Sequence, residues 1–469
     1  MKKTLLLFIS FMLFACFGYS QAINPGFQPI AFKGAEGFGK YTTGGRGGKI
    51  IIVSNLDNDG KGSFRAAVKT KEPAIIVFRV SGTIHLLTGL SIKSNKTIAG
   101  HSAPGDGICL ADQPVSIDGD NIIIRYMRFR MGDRYQNKGM VDGGGGDDAF
   151  GGTKRKNIMI DHCSMSWSTD EVCSIYSGDS TTLQWNIIAE PLNYSYHFEK
   201  GDTDFEKHGF GSILGGAHTT VHHNLYAHCA SRTPRFNGIR TSPVEFVDYR
   251  NNVIYNWESK NVYAGEGGNY NLANNYYKYG PSTKPKVKSQ VLNPYKTSKI
   301  PFGKFFLRGN YMDGNAAITA NNWLGVVMQD GTKEDAEMAK VNNPFPGIDI
   351  PVQSAKDAYD QVLQYAGAVF PQRDAMDQRI IREVKTRTGK LVDVQGGYPH
   401  GTPYEISKNA WPQLKTLPPL LDTDNDGIPD SWEMKKHLNP NNSNDATACT
   451  LSKEYMNIEV YLESLLVVK

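Results

Sequence analysis

The sequence predicts an all-β solenoid, a parallel β-helix, and three observations carry that prediction. From about Ile50 to Tyr311 the chain is a series of short β-branched runs parted by Gly, Asn, Asp and Ser. Many of these runs end on asparagine: Asn186, Asn224, Asn252, Asn275 and Asn310 recur 23 to 38 residues apart. Asparagine tolerates left-handed backbone and can hydrogen-bond an equivalent neighbour when coils stack. A strand-rich repeat of that period, with loops of variable length, is what a stacked solenoid produces. A β-sandwich or a propeller would also yield short strands, but neither accounts for the asparagine repeat. The 48 glycines and 11% aromatic content suit an all-β chain with many tight turns.

Taken in order, Met1–Ser20 has the layout of an export signal: Lys2 and Lys3, an apolar run from Leu5 to Phe17, then Gly18-Tyr-Ser20. The run is short for a bilayer span. Cleavage after Ser20 is expected, and the protein is expected to be secreted or periplasmic. Leu13-Phe-Ala-Cys16 loosely resembles a lipoprotein box, an alternative that would leave Cys16 lipidated. No later segment reads as transmembrane. The 469 residues allow more than one domain. With 51 basic and 47 acidic residues, charge is close to balanced, which argues against binding nucleic acid through bulk charge. A local basic groove for an acidic polymer remains open. Six cysteines are too few and too scattered for a disulfide framework. Cys163, Cys173 and Cys229 sit in apolar runs and read as small core residues. The absence of a CxxC pair argues against a zinc site.

The solenoid runs include Ile50-Ile-Ile-Val53, Ala74-Ile-Ile-Val-Phe78, Asn121-Ile-Ile-Ile-Arg125, Asn157-Ile-Met-Ile-Asp161 and Thr220-Val-His-His-Asn224. Within them two segments supply carboxylates. Gly143-Gly-Gly-Gly-Asp-Asp-Ala-Phe150 presents Asp147 and Asp148, with Asp142 nearby, and the run after Ile158 leads to Asp170 and Glu171. Residues one coil apart in a parallel stack lie about 4.8 Å from each other. Asp148 and Asp170 are 22 residues apart, about one coil, so their side chains are expected to converge. Carboxylates side by side repel unless a cation joins them, and Ca²⁺ suits an all-oxygen site. Downstream, Arg232-Thr-Pro-Arg235 holds two arginines around Pro234. Proline fixes its own φ and restricts the residue before it, so the two guanidinium groups are expected in fixed positions suited to a carboxylate.

Beyond Asn310 the pattern changes. Gln353–Ala366 and Arg373–Thr386 show helical spacing, with Ala358, Val362, Leu363 and Ala366 lining one face of the first and Met376, Ile380, Ile381 and Val384 one face of the second. These helical additions, about 353–386, are expected to pack along or cap the solenoid. Residues 387–420 read as an extended, proline-rich tail. Then Asp422-Thr-Asp-Asn-Asp-Gly-Ile-Pro-Asp-Ser-Trp-Glu433 fits a twelve-residue Ca²⁺ loop. Asp422, Asp424 and Asp426 take positions 1, 3 and 5, Gly427 the sharp turn, Ile428 the carbonyl at 7, Asp430 position 9 and Glu433 position 12. The loop resembles the Ca²⁺ repeats of thrombospondin type 3 and dockerin-like modules, and a lone loop of this kind implies a structural role. The expected organisation is a leader over 1–20, a β-helix domain over 21–415 and a calcium-binding module over 416–469.

An acidic cluster and a rigid arginine pair on adjacent coils point to one reaction class. A metal holds the carboxylate of a uronic acid and makes the C5 proton more acidic, an arginine removes that proton, and the glycosidic oxygen leaves from C4. Arginine is an unusual base because its pKa normally exceeds 12, so neighbouring cations, burial or high pH must assist it. A hydrolase would instead need two carboxylates flanking the scissile bond.

These residues give the chain a resemblance to the pectate lyases of polysaccharide lyase family 1, over roughly 31–310. Its marks are Thr42-Thr-Gly-Gly-Arg-Gly-Gly48, Lys96-Thr-Ile-Ala-Gly100, Asn121-Ile-Ile-Ile-Arg125, Ile160-Asp-His-Cys163, His223-Asn224 and Arg232-Thr-Pro-Arg235. The resemblance implies a right-handed parallel β-helix and Ca²⁺-dependent β-elimination of polygalacturonate to unsaturated oligogalacturonides. It further implies that Arg232 is the base, Arg235 a substrate contact and Asp148 a calcium ligand, with further calcium acids near Asp170 and Glu171. Asp161 and His162 belong to the signature and read as structural. The chain departs from the family pattern in two places. The usual substrate-binding lysine is replaced within Glu206-Lys-His-Gly-Phe210, where Lys207 or His208 takes its place. The last arginine of the usual Arg-x-Pro-x-x-Arg run is Asn237. The expected partner is an acidic polysaccharide, with no nucleic acid and no membrane span, bound by a monomer. A pectin lyase acting on methyl-esterified polymer, or a non-catalytic pectin-binding β-helix protein, are the rival readings. Asp147, Asp148, Asp170 and Glu171 weigh against the first, and Arg232 kept beside them against the second.

Overall fold

The computed structural model describes residues 28–137, 146–348 and 350–466. The leader with Cys16, and Asp142, lie outside the described residues. Short strands stack in parallel on three faces, as in the parallel β-helix that the sequence predicts. On the first face Ala74–Phe78, Lys96–Ala99, Ile122–Arg125 and Lys156–Asp161 follow one another in register and continue to Lys304–Arg308. A second face of nine strands runs from Gly82–His85 to Tyr311–Met312. A third runs from Leu90–Ile92 to Leu292–Pro294, and the long strand Cys173–Gln184 bends from the third face into the first.

Alternation along each strand builds the interior. Ile76, Ile98, Ile124, Ile160, Leu183 and Val221 fall at one register position on successive coils, all fully buried, and form an aliphatic stack. Burying one such side chain contributes about 1.5–3 kcal/mol. The intervening residues point outward, and what covers them differs by face. Ile123 and Met159 are covered by Ala31, Phe32 and Ala35. Ile75, Val77 and Ala99 are covered by Ile428, Met456, Ile458 and Leu462 of the C-terminal segment. On the second face Ile187, Ala189, Leu225 and Val253 are covered by two helices. These are Ala355–Tyr365 and Ala375–Thr386, whose first turns are capped by the Ser354 and Asp374 side chains. Their buried faces are those the spacing predicts. On the third face the outward positions are polar or small, such as Ser91, Ser116 and Gly151, and they line an open groove.

The asparagine repeat is a hydrogen-bonded ladder inside a turn. The side-chain amide of Asn186 donates to Asn224 Oδ1 at 2.8 Å, Asn224 to Asn252 at 3.0 Å, Asn252 to Asn275 at 3.1 Å and Asn275 to Asn310 at 2.9 Å. Asn310 then donates to Asn322 at 3.0 Å, a sixth rung that the strand spacing does not announce. The left-handed backbone expected of these asparagines belongs instead to the residue before each rung: Trp185, His223, Asn251, Asn274 and Gly309 have positive φ. Asn252→Ala is expected to destabilise the protein by on the order of 3 kcal/mol, because it strands the Val221 carbonyl and the Asn224 amides in a dry interior. Chemical denaturation of the variant against the parent measures this.

Cys109, Cys163, Cys173 and Cys229 are buried free thiols, and no disulfide occurs among the described residues. Among those residues no helix is long and apolar enough to cross a membrane.

One buried acid supports the arginine strand. Glu245 accepts from the Gly238 amide at 2.7 Å and from the Tyr270 hydroxyl at 2.6 Å. Burial pushes its carboxyl up to about 7. A raised folded-state value means that stability is fully present below the unfolded value, near 4.5, and is lost as pH rises through 7. Glu245→Gln keeps both acceptor contacts, so at pH 9 it is expected to be more stable than the parent by up to about 3 kcal/mol. Thermal melts of both proteins between pH 5 and pH 9 give the comparison.

Candidate active site

The groove on the third face has a volume of about 890 Å³, and Asp147, Asp148, Asp170, Glu171 and Arg232 all line it. Coil register decides which acids meet. Phe150 pairs with Cys173, so Asp148 stacks on Glu171, whose backbone amide donates to Asp148 Oδ1 at 3.0 Å. Asp170 stacks on Asp147, donating its amide to the Asp147 carbonyl at 3.2 Å. The coil is therefore one residue longer than the spacing of Asp148 and Asp170 implies. Side-chain oxygens of Asp148, Asp170 and Glu171 nevertheless lie within 4.8 Å of one another. The Asp147 carboxylate is not in that group and accepts from Gln136 Nε2 at 2.8 Å.

Burial and the neighbouring Asp170 push the Asp148 carboxyl well above the usual range. Burial pushes Asp170 upward as well, but hydrogen bonding to His208 with the charges of His208, His197 and Arg232 outweighs it and holds Asp170 low. Three converging hard-oxygen donors, one of which resists ionisation beside the others, are a set that a divalent cation completes, and Ca²⁺ fits it.

Arg232 stands two coils beyond the acids, through the bridges Glu171–Phe210 and Phe210–Ser231, and not on the adjacent coil. The gap is about 10 Å, which a long side chain can cross. Arg232 has left-handed backbone with φ 59°. Its guanidinium lies 4.3 Å from the Phe210 ring centroid, its Nε donates to the Tyr263 hydroxyl at 3.2 Å, and it pairs with Glu171. A cation over an aromatic face with a fixed hydrogen bond is a positioned group, not a mobile one.

The other expected site residues are placed differently. Arg235 is buried, donates to Glu266 Oε1 at 3.1 Å and does not line the groove, because strand alternation and Glu266 draw it away from Arg232. Lys207 is exposed and outside the groove lining. His208 is buried with Nε2 2.6 Å from Asp170 Oδ1, so it supports an acid and does not line the groove. Asp161 is buried between Arg125 and His162, in keeping with a structural role. Phe210, Tyr263 and the exposed Arg240 are site neighbours that the sequence reading did not single out. Burial and the charge of Arg235 hold the Arg240 guanidinium below its ordinary range.

At the C-terminal acids, Asp422, Asp424 and Asp426 form one oxygen cluster, and Asp426, Glu433 and Asp445 another. Both oxygens of Asp424 and Glu433, with Asp426 Oδ2 and Asp445 Oδ1, are buried without hydrogen-bond partners. Burial and the neighbouring acids push Asp426 up to about 7 and Glu433 to about 8. Asp430 is not in either cluster. Thr423 engages both its oxygens, at 2.7 Å each, as it opens the helix Asp430–Lys436. Asp445, outside the twelve-residue pattern, converges in its stead, while Ile428 is fully buried and donates its amide to Asp426 Oδ1 at 2.8 Å.

No family model matches the chain. Curated relatives span nearly all of it. The Aspergillus flavus protein named "Probable pectate lyase C" is 31% identical over 459 residues, covering 93% of this chain and 94% of that protein. The namesake from Aspergillus fumigatus is 31% identical over 476 residues, covering 97% of each. The chain belongs to the pectate lyase family. It is accordingly a polysaccharide lyase. Solved structures show a fainter likeness. The cedar pollen allergen jun a 1 gives a TM-score of 0.48 at 16% identity, over 73% of this chain and 99% of that one. The pectate lyase Bsp165PelA from Bacillus sp. N165, in complex with trigalacturonate, gives 0.43 at 18% identity, over 71% and 98%. These scores are too low to bear on the site.

Proposed function

We propose that the lyase is exported and cleaves α-1,4-polygalacturonate by Ca²⁺-dependent β-elimination, releasing 4,5-unsaturated oligogalacturonides, with Arg232 as the base. The observation that carries this reading is the pairing of Arg232 with Glu171 across the Phe210 coil, which brings a positioned guanidinium to an acid cluster inside one open groove. Asp148, Asp170 and Glu171 would hold the calcium ion. Calcium bound there supplies positive charge to the uronate carboxylate and so acidifies the C5 proton. Arg232 in its neutral guanidine form, favoured at high pH, takes that proton and becomes the guanidinium. The C5–H electron pair becomes the C4=C5 double bond, and the glycosidic oxygen leaves C4 with its bonding pair and takes a proton from water. Tyr263 and Phe210 hold the guanidinium for this transfer, and Glu171 keeps it extended towards the acids. Arg240 adds an exposed cation for a neighbouring uronate.

The C-terminal acids Asp422, Asp424, Asp426, Glu433 and Asp445 would hold a second, structural calcium ion in a loop of the thrombospondin type 3 or dockerin-like kind. Segment 416–469 is then a calcium-binding module docked on the β-helix of 21–415.

The test is ultraviolet absorbance of unsaturated product from polygalacturonate and from highly methylated pectin, each with calcium and with excess chelator. Product from polygalacturonate only when calcium is present is the expected result. Product from methylated pectin in chelator would replace this reading with a pectin lyase. Binding of either polymer without product would make the protein non-catalytic.

A further inference from the structure

Asp170 takes part in a second cluster of donors. Donor atoms of Asp170, His197 and His208 all lie within 4.8 Å of one another. The His197 and His208 rings stack with centroids 3.7 Å apart, and His208 Nε2 reaches Asp170 Oδ1 at 2.6 Å. His197 is only 5% exposed, yet neither its Nδ1 nor its Nε2 has a hydrogen-bond partner. A methyl placed on Gly146 would lie 2.4 Å from that Nδ1, closer than contact allows, and 3.4 Å from Asp170 Cβ, so Gly146 packs directly on the ring beside the acid. Glu206 Oε1 lies 3.3 Å from the other ring nitrogen, Nε2. A carboxylate beside one ring nitrogen orients the imidazole and leaves the other free to ligate an ion.

A buried imidazole nitrogen without a partner is costly in a stable fold, and it asks for one. The partner is not another calcium ion, since hard Ca²⁺ is served by oxygen, whereas two imidazoles and one carboxylate suit borderline ions. The sequence lacks the cysteine pairs of a structural zinc site, but histidine and aspartate serve such ions without cysteine. We infer that Asp170, His197 and His208 form a binding site for a borderline divalent cation of the Zn²⁺ class, with Glu206 orienting His197. The site stands whether or not the lyase reading above is right. One consequence rests on that reading: because Asp170 is shared, a zinc-class ion draws it away from the calcium cluster and inhibits the lyase.

The experiment is calorimetric titration of the full chain, without a histidine tag, with Zn²⁺ in the presence of excess Ca²⁺ to occupy the all-oxygen sites. Co²⁺ replaces Zn²⁺ in a parallel titration, and its visible absorption reports nitrogen ligation. Saturable binding of one Zn²⁺ per chain is expected, weakened at least about tenfold in His197→Gln and in His208→Gln. Gly146→Ala pushes the His197 ring aside without removing a ligand, and it is expected to weaken binding in the same way even if a histidine variant folds poorly. Glu433→Gln, at the far loop, should bind Zn²⁺ as the parent does. No saturable Zn²⁺ binding by the parent overturns the site, and so does binding that neither His197→Gln nor Gly146→Ala alters. Zn²⁺ binding in a protein that makes no unsaturated product would keep the site and remove only its inhibitory consequence.

Discussion

Arg232→Ala is expected to lower kcat on polygalacturonate by about 10²- to 10⁴-fold, the usual contribution of a positioned general base. The change removes the one guanidinium that crosses from the arginine coil to the acids, and no other arginine can replace it. Arg235 is held by Glu266, Arg155 lines the groove but is paired with Asp118, and Arg240 does not line the groove. The loss should fall on kcat more than on KM, since binding of the polymer also draws on the acid cluster and on Arg240. Arg232→Lys separates charge from geometry. Lysine keeps a cation but loses the planar fork and the fixed contact with Tyr263, and its ordinary pKa is lower, near 10.4. A lysine variant of intermediate activity whose pH–rate profile moves to lower pH would support proton transfer at this position. An alanine variant that turns over like the parent would remove Arg232 from the chemistry, and the acid cluster would then have to be read without a base.

Removing calcium is expected to have the second large effect, through two separable sites. At the C-terminal loop, carboxylate oxygens of Asp424, Asp426, Glu433 and Asp445 are buried with no hydrogen-bond partner, and their mutual repulsion is relieved only by protons or by a cation. The loop is also a clamp. Its Ile428 and the following Met456, Ile458 and Leu462 cover the outward face of the first coils, and ion pairs from Arg46 to Glu459, Arg79 to Asp422 and Arg125 to Glu463 join the two. Chelation should therefore lower the melting temperature, with a loss of about 3 kcal/mol for calcium initially at a hundred times its dissociation constant. Glu433→Gln should abolish that calcium-dependent stabilisation. Asp170→Asn, by contrast, should leave the stabilisation intact while abolishing calcium-dependent turnover. If chelation changes activity but not the melting curve, the C-terminal acids hold no ion.

Much of the scaffold was legible before any coordinates. The asparagine repeat marked the coils because a buried amide that bonds to its own image is needed at the same turn of each one, and five of its six rungs could be named. Asn322 escaped because it follows Asn310 by only twelve residues, within a short helical turn. The two helices were readable because the apolar spacing of each matches one buried face. The acids at Asp422, Asp424, Asp426 and Glu433 could be named because a calcium loop is a local motif, with its ligands set by spacing along the chain.

The sequence by itself determined the kind of coil, the residue types in the groove and the order in which they arrive. Only the tertiary structure decided which of them touch. Coil lengths vary with their loops, and in a strand a shift of one residue turns a side chain to the opposite face. A one-residue difference in coil length therefore put Glu171, not Asp170, over Asp148. Strand direction and a distant acid, Glu266, took Arg235 out of the groove. Asp445 and His197 became donors although they lie outside any motif, because chain folding brings them beside Glu433 and Asp170. Local patterns are fixed by backbone periodicity, which the sequence carries directly. Convergence between coils is fixed by register and packing, which exist only once the chain is folded.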